Sequence, residues 1–141
     1  MKKFSFELEE VLQFRNFEKQ QAEGELAKAL AVENELNENL KKIAQNYAAV
    51  KAQMNGNLNF QDMMNQSRYN NLLEYQKEEL LKQLTQAKLV TEQKREVLRE
   101  CMKKTTALEK LKEQQLVEWK QAADYEEAEL LDEVKNKLTS S

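Results

Sequence analysis

The side chains that could carry acid–base chemistry are pairs of neighbouring carboxylates, because the 141-residue sequence has no histidine and a single cysteine. Examples of such pairs are Glu9-Glu10, Glu78-Glu79 and Glu126-Glu127. If these segments are helical, adjacent side chains diverge by about 100 degrees and cannot converge on one substrate. No glycine-rich phosphate loop accompanies them. The sequence therefore predicts a protein that is not an enzyme and that binds no cofactor or metal ion.

Composition points to long helices rather than to a globular core. The sequence contains no proline and two glycines, and 33% of its residues are charged. A chain without helix breakers can stay helical almost throughout. The net charge of −3 comes from interspersed acids and bases, which argues against a nucleic-acid partner. No apolar run approaches the length of a membrane span, so we expect a cytoplasmic chain without direct membrane insertion.

A 4-3 apolar repeat runs through the first third of the chain, as expected for the seam of a coiled coil, the line of side chains that faces the partner helix. Its positions are Leu8, Leu12, Arg15, Lys19, Ala22, Leu26, Ala29, Glu33, Leu36, Leu40, Ile43, Tyr47, Val50 and Met54. The alanines favour close approach of one partner helix, and polar Lys19 and Glu33 would serve to fix the register. This pattern predicts a helix over about 4–54.

A reverse turn is predicted at 55–59, where Gly56 can end one helix and Asn59 can cap the next. Helix two is expected over about 60–138, and its seam contains one extra four-residue step between Leu80 and Leu84. The seam positions are Tyr69, Leu73, Gln76, Leu80, Leu84, Ala87, Thr91, Lys94, Leu98, Cys101, Thr105 and Leu108. The predicted fold is all-α, a monomeric two-helix antiparallel coiled coil that forms a single domain over 1–141.

Helix two is predicted to be longer than helix one. A turn centred on Gly56 pairs residue i with a residue near 114 − i, so Leu40 would face the Leu73 region and Leu8 the Thr105 region. Residues beyond about 110 would then lack an intramolecular partner. Their apolar side chains are Leu111, Leu116, Val117, Trp119, Tyr125, Leu130, Leu131, Val134 and Leu138. So much apolar surface on one helix predicts a binding partner.

Two further patterns each allow two interpretations. The acidic cluster between Asp124 and Glu133 is either a solvated helix face or a patch that steers this end toward a basic partner. Apolar doublets widen the stripe of helix two, either to cover helix one or to form a groove-binding stripe for a partner. The doublets are Leu72-Leu73, Leu80-Leu81, Leu89-Val90 and Val97-Leu98.

The opening residues 4–12, with sequence FSFELEEVL, are followed by Arg15, Glu18, Lys19 and Glu23. This pattern resembles the N-terminal signature of the flagellar export protein FliJ family, and the closing ELLDE at 129–133 is also similar to it. The resemblance covers essentially the whole chain. It implies a coiled coil similar to the central stalk of rotary ATPases, seated in the hexameric ring of the flagellar type III export ATPase.

The resemblance also implies contact with the cytoplasmic domain of the membrane export gate and escort of export chaperones, at the inner membrane of the flagellar base. The family's gate-contacting pattern is an aromatic residue followed at three, seven and eleven residues by bulky apolar ones. Here it maps onto Tyr69, Leu72, Gln76 and Leu80, with Leu73 adjoining, and polar Gln76 departs from it. For the ATPase ring, the expected contacts are Phe4, Leu116, Trp119, Tyr125, Leu130 and Leu131.

This interpretation makes the chain a non-catalytic stalk and coupling component of flagellar protein export and of motility. Two alternatives remain open: the equivalent stalk of a virulence-type injection apparatus, and a generic scaffold coiled coil. Sedimentation would separate the scaffold, which predicts an extended dimer, from a compact monomeric hairpin.

Overall fold

The protein is an all-α helical hairpin of two long helices packed against each other, as predicted. The computed structural model describes residues 2–53 and 59–139. Helix α1 is Glu9–Gln53, of 45 residues, and helix α2 is Phe60–Thr139, of 80 residues. The predicted turn at Gly56 lies outside the described residues, together with the end predicted for helix one at Met54.

The start of α1 differs from the prediction, whereas the start of α2 agrees with it. Residues 2–8 lie outside the helix, because the first α-helical hydrogen bond is donated by the Leu12 amide to the Leu8 carbonyl at 2.8 Å. Glu9 and Glu10 follow, and carboxylates in a first turn favour the helix dipole. At α2, the Asp62 amide donates to the Asn59 side-chain oxygen at 2.8 Å. Asn59 is therefore the N-cap, as predicted.

The seam of α1 follows the prediction except at Leu8 and Tyr47, which are exposed, and that of α2 differs near its start. Leu12, Ala22, Ala29 and Leu36 are all buried at predicted seam positions of α1. In α2, buried or half-buried side chains occupy ten of the twelve predicted positions. They are Leu73, Leu80, Leu84, Ala87, Thr91, Lys94, Leu98, Cys101, Thr105 and Leu108.

The other two predicted seam positions of α2, Tyr69 and Gln76, are exposed, and half-buried Asn70 lies in the seam instead. From Asn70 through Leu73, Leu80 and Leu84 the spacings of three, seven and four residues fit an unbroken heptad repeat. The predicted extra step at Leu80 is therefore wrong. The prediction placed Tyr69 in the seam because Tyr69 is apolar and Asn70 is not. Asn70, however, has the correct spacing.

The helices contribute to two compact units, here called unit 1 (Met1–Gln21 with Arg99–Ser141) and unit 2 (Ala22–Leu98). The prediction of a single domain over 1–141 stays a prediction. In unit 2, the core is the cluster of Leu36, Leu84 and Ala87, against which Leu40 and Leu80 pack. The Lys94 ammonium lies 3.9 Å from a carboxylate oxygen of Glu25 across the helix pair.

These contacts correct the predicted register of unit 2. The numbers of paired residues add to 120 for Leu40 with Leu80 and to 119 for Glu25 with Lys94, instead of 114. The difference is close to one heptad, and a slide by one heptad returns the same seam positions to face each other. The heptad periodicity therefore determines which helix faces meet, but it does not determine the register. The register is determined by the packing of the large leucines against each other.

Unit 1 shows the same correction. The Lys112 ammonium lies 2.7 Å from a Glu9 carboxylate oxygen, so these residue numbers add to 121. The rings of Phe4 and Trp119 pack with their centroids 6.1 Å apart and their planes tilted by 59°. The prediction that everything beyond residue 110 lacks an intramolecular partner is therefore wrong for Lys112 and Trp119.

Replacing Gly24 by alanine should stabilise the protein. Gly24 lies inside α1, its φ is not positive, and a Cβ built on it meets nothing within 4 Å apart from the helix's own backbone. Alanine at an unstrained helix interior site is favoured over glycine by about 1 kcal/mol. Thermal unfolding of Gly24→Ala should therefore begin at higher temperature. An unchanged or lower midpoint would show that α1 is not a regular helix at this position.

Candidate partner-binding surfaces

The predicted gate-contact residues of unit 2 divide between two faces of α2. Tyr69, Leu72 and Gln76 are exposed, with spacings of three and four residues that place them on one helix face. Leu73, by contrast, is only 2% exposed, and half-buried Leu80 packs on the core cluster of unit 2. Three of the five residues can therefore contact a partner from outside, whereas Leu73 and Leu80 hold the hairpin together.

A cleft of about 580 Å³ opens between the helices of unit 2, and Tyr69, Leu72 and Gln76 are not among the residues that line it. Its lining from α2 includes Leu73 and Leu81, with Glu74 and Lys77 as the charged members. The lining from α1 is Leu40, Ile43, Ala44 and Tyr47. Sequence reasoning missed the α1 side of this surface because the wrong register placed Tyr47 away from Leu73. Apart from its two charged side chains, the cleft has the apolar lining that suits recognition of another protein's side chains.

A second groove of about 440 Å³ lies in the middle of unit 2. It is lined by Ala29, Val32, Leu36, Gln83, Gln86, Ala87 and Val90. Small seam residues such as Ala29 and Ala87 leave space there that a leucine would fill. The groove is therefore a consequence of the close helix approach that the alanines permit.

The apolar doublets cover helix α1 with one member each, whereas their use as a groove-binding stripe for a partner stays a prediction. In each doublet one member is buried or half-buried toward α1, and the other is exposed. Leu73, Leu80, Val90 and Leu98 are the inward members, and Leu72, Leu81, Leu89 and Val97 are the outward ones. The outward members do not share one face of α2, because Leu72 and Leu81 are nine residues and therefore about 180 degrees apart around the helix.

In unit 1, the six residues predicted to contact the ATPase ring also fall into two groups. Phe4 and Trp119 pack on each other, and both are half-buried, as is Leu116. Tyr125, Leu130 and Leu131 are fully on the surface, with Leu131 64% exposed. All side chains of residues 124–139 are exposed, and we call this segment the arm. The region open to a partner thus begins at Asp124 instead of near residue 110.

The arm combines an apolar stripe with a strong negative charge. Leu130, Leu131 and Val134 fall within an arc of about 100 degrees around the helix, and Glu126 and Glu133 lie along one edge of that arc. The acidic residues are Asp124, Glu126, Glu127, Glu129, Asp132 and Glu133, against Lys135 and Lys137. Exposed carboxylates around exposed leucines suit a partner surface that is apolar with a basic rim.

Among residues 2–53 and 59–139, no cluster of three or more histidine, cysteine, aspartate or glutamate side chains is placed to hold a metal ion. Within the same residues, no helix is long and apolar enough to cross a membrane. What the described surfaces offer is apolar and charged area for contact with other proteins.

Comparison with known proteins gives one match. The model of the family described as Flagellar FliJ protein matches residues 4–140, nearly the whole chain. No curated protein and no solved structure matches. The family match covers both helices and all the surfaces described above. The chain therefore belongs to the flagellar FliJ protein family, a non-catalytic component of the flagellar export apparatus.

Proposed function

We propose that this chain is the stalk and coupling component of the flagellar type III protein export apparatus. In this role it binds the hexameric export ATPase ring and the cytoplasmic domain of the export gate, and escorts export chaperones. The observation that carries the proposal is the family match over residues 4–140, which includes every candidate surface. A match to a flagellar family favours this role over the equivalent stalk of an injection apparatus.

The arm and the adjoining end of unit 1 are the proposed contact with the ATPase ring. Leu130, Leu131 and Val134 form an exposed apolar stripe with no described neighbour to cover it, and Tyr125 is exposed on the opposite side of the helix. Leaving such a stripe in water is unfavourable, so burial against a partner would give a large free-energy gain. The carboxylates around it would speed encounter with a basic surface and orient the arm on it.

The exposed face of α2 near its start is the proposed contact with the export gate. Tyr69 and Leu72 supply apolar area, and Gln76 supplies a hydrogen-bonding amide on the same face. The cleft lined by Leu73 and Tyr47 is a separate apolar recess in unit 2, in which a gate segment could bury a side chain. Leu73 and Leu80 are proposed to hold this face of α2 in position through their packing in the seam.

The outward doublet members Leu89 and Val97 are the proposed site for export chaperones. They lie eight residues apart on α2, which brings them near one helix face, and both are more than half exposed. Binding there would leave the gate and ATPase surfaces uncovered. The proposed location is the cytoplasm, with peripheral association at the inner membrane through these protein partners.

The proposal is tested by the rate of ATP hydrolysis of the purified export ATPase as the full chain is added. We expect the rate to rise with chain concentration and then to saturate, because a stalk that favours ring assembly raises the active fraction. A rate that stays constant from substoichiometric to large excess of the chain would contradict the coupling role.

A further inference from the structure

The N-terminal residues 2–8 lie across unit 1 as a short non-helical segment, here called the strap. The sequence pattern predicts helix from Phe4, yet α1 begins at Glu9, so the strap departs from the helix axis. The Glu9 amide donates to the Phe6 carbonyl at 3.1 Å, which closes a turn where the strap meets α1. The strap therefore has a defined path instead of continuing the helix.

One buried side chain, one contact between aromatic rings and one ion pair hold the strap and its junction with α1 in place. Phe6 is 6% exposed and is the buried anchor. Phe4 is half-buried and packs on Trp119 with tilted rings at a centroid distance of 6.1 Å, a favoured aromatic arrangement. At the junction, Glu9 and Lys112 form a 2.7 Å ion pair. Lys2 lines a cavity of about 430 Å³ with Trp119, Ala122, Ala123 and Glu126.

We propose that the strap is a cover for Trp119 whose release regulates access to the ATPase-binding end of unit 1. This inference rests on the proposed function, because it concerns the same surface. In the closed arrangement Phe4 and Trp119 each cover part of the other's ring. Release frees both rings and extends the exposed apolar surface from the arm back to Trp119 and Leu116.

The closed arrangement of the strap is stabilised by only a few contacts. Its burial depends mainly on Phe6, while the Phe4–Trp119 pair and the Glu9–Lys112 pair lie near the surface, where ion pairs contribute little. Such a segment opens more readily than the seam of the hairpin. A partner that binds only the open form has an apparent affinity equal to its affinity for that form multiplied by the fraction of molecules in which the strap is open. The strap thereby sets the affinity of this end.

The first test is the fluorescence of Trp119, which is the chain's one tryptophan, so that the emission comes from this side chain alone and responds to its cover by Phe4. In the full chain, Phe4→Ala should shift the emission of Trp119 to longer wavelength and raise its quenching by acrylamide. The matched control is Phe14→Ala, which removes an exposed ring from α1 in the same unit. Equal emission in the wild type, Phe4→Ala and Phe14→Ala would overturn strap closure.

The second test changes the ion pair without touching either ring. Glu9→Lys and Lys112→Glu each replace the ion pair by two like charges, so that repulsion at the junction is added to the small loss of the pair and should shift the strap toward its open form. The double variant restores the pair with its charges exchanged. Both single variants should show red-shifted Trp119 emission and several-fold tighter binding to purified export ATPase. The double variant should return to wild-type behaviour in both measurements. Glu10→Lys is the control for adding a positive charge to the first turn of α1.

The outcomes separate the strap from the function that it is proposed to regulate. If emission changes as expected but both single variants bind the ATPase as the wild type does, regulation by the strap is refuted. If no variant, wild type included, binds the ATPase, the proposed function and the regulatory role both fail. Strap closure would then still be decided by the Trp119 emission.

Discussion

Replacing Leu130 and Leu131 together by glutamate is expected to abolish binding of the chain to the export ATPase. Both side chains lie on the exposed apolar stripe of the arm, and two added charges cannot be desolvated in an apolar contact. Loss of a central apolar anchor pair typically weakens an interface at least about 100-fold. Binding isotherms with purified ATPase measure the effect directly.

The stability of this variant should be unchanged, which makes the binding result interpretable. Substitutions at exposed positions alter the free energy of unfolding by about 0.5 kcal/mol or less, and glutamate is as good a helix former as leucine. A matched control is Leu89→Glu with Val97→Glu, at two positions of similar exposure in unit 2. If the control weakened ATPase binding as much as the arm variant, specific binding by the arm would be refuted.

Replacing Leu73 by alanine is expected to destabilise unit 2 strongly. Leu73 is 2% exposed and is the most buried leucine among the described residues. Leucine-to-alanine changes at such sites cost about 2–5 kcal/mol, and we expect the lower half of that range because an open cleft adjoins the site. Thermal or urea unfolding followed by circular dichroism measures this loss.

The neighbouring Leu72 provides the contrast. Leu72→Ala should leave the free energy of unfolding within about 0.5 kcal/mol of the wild type, because that side chain is half exposed to water. It should instead weaken binding to the purified cytoplasmic domain of the export gate by about tenfold. Equal destabilisation by the two alanine variants would contradict the assignment of Leu73 to the seam and Leu72 to the surface.

The sequence allowed the helices and most of the seam to be predicted, because both depend on local signals. Absence of proline, the 4-3 repeat of α1 and the Asn59 cap each act within a few residues. The seam of α2 was misplaced only where an apolar Tyr69 stands beside the correctly spaced Asn70. When only hydrophobicity is considered, Tyr69 is chosen as the seam position instead of Asn70.

The register and the strap could not be predicted, because neither is a local property. A slide of one heptad preserves the seam, so only the packing of Leu36 and Leu40 against Leu84 and Leu80 selects one register. The error in register then hid the pairing of Glu9 with Lys112 and the α1 side of the cleft in unit 2. Phe4 belongs to an apolar pattern compatible with helix, and its contact with Trp119 is visible only once the register is known.

The most direct test of the coupling role is whether one molecule of the chain binds both partners at once. Sedimentation of the full chain with the export ATPase and the gate's cytoplasmic domain should show a single complex that contains all three proteins. We expect this because the arm belongs to unit 1 and the Tyr69–Gln76 face to unit 2, and the two surfaces share no residue. Two binary complexes that exclude each other at every concentration would contradict the proposal.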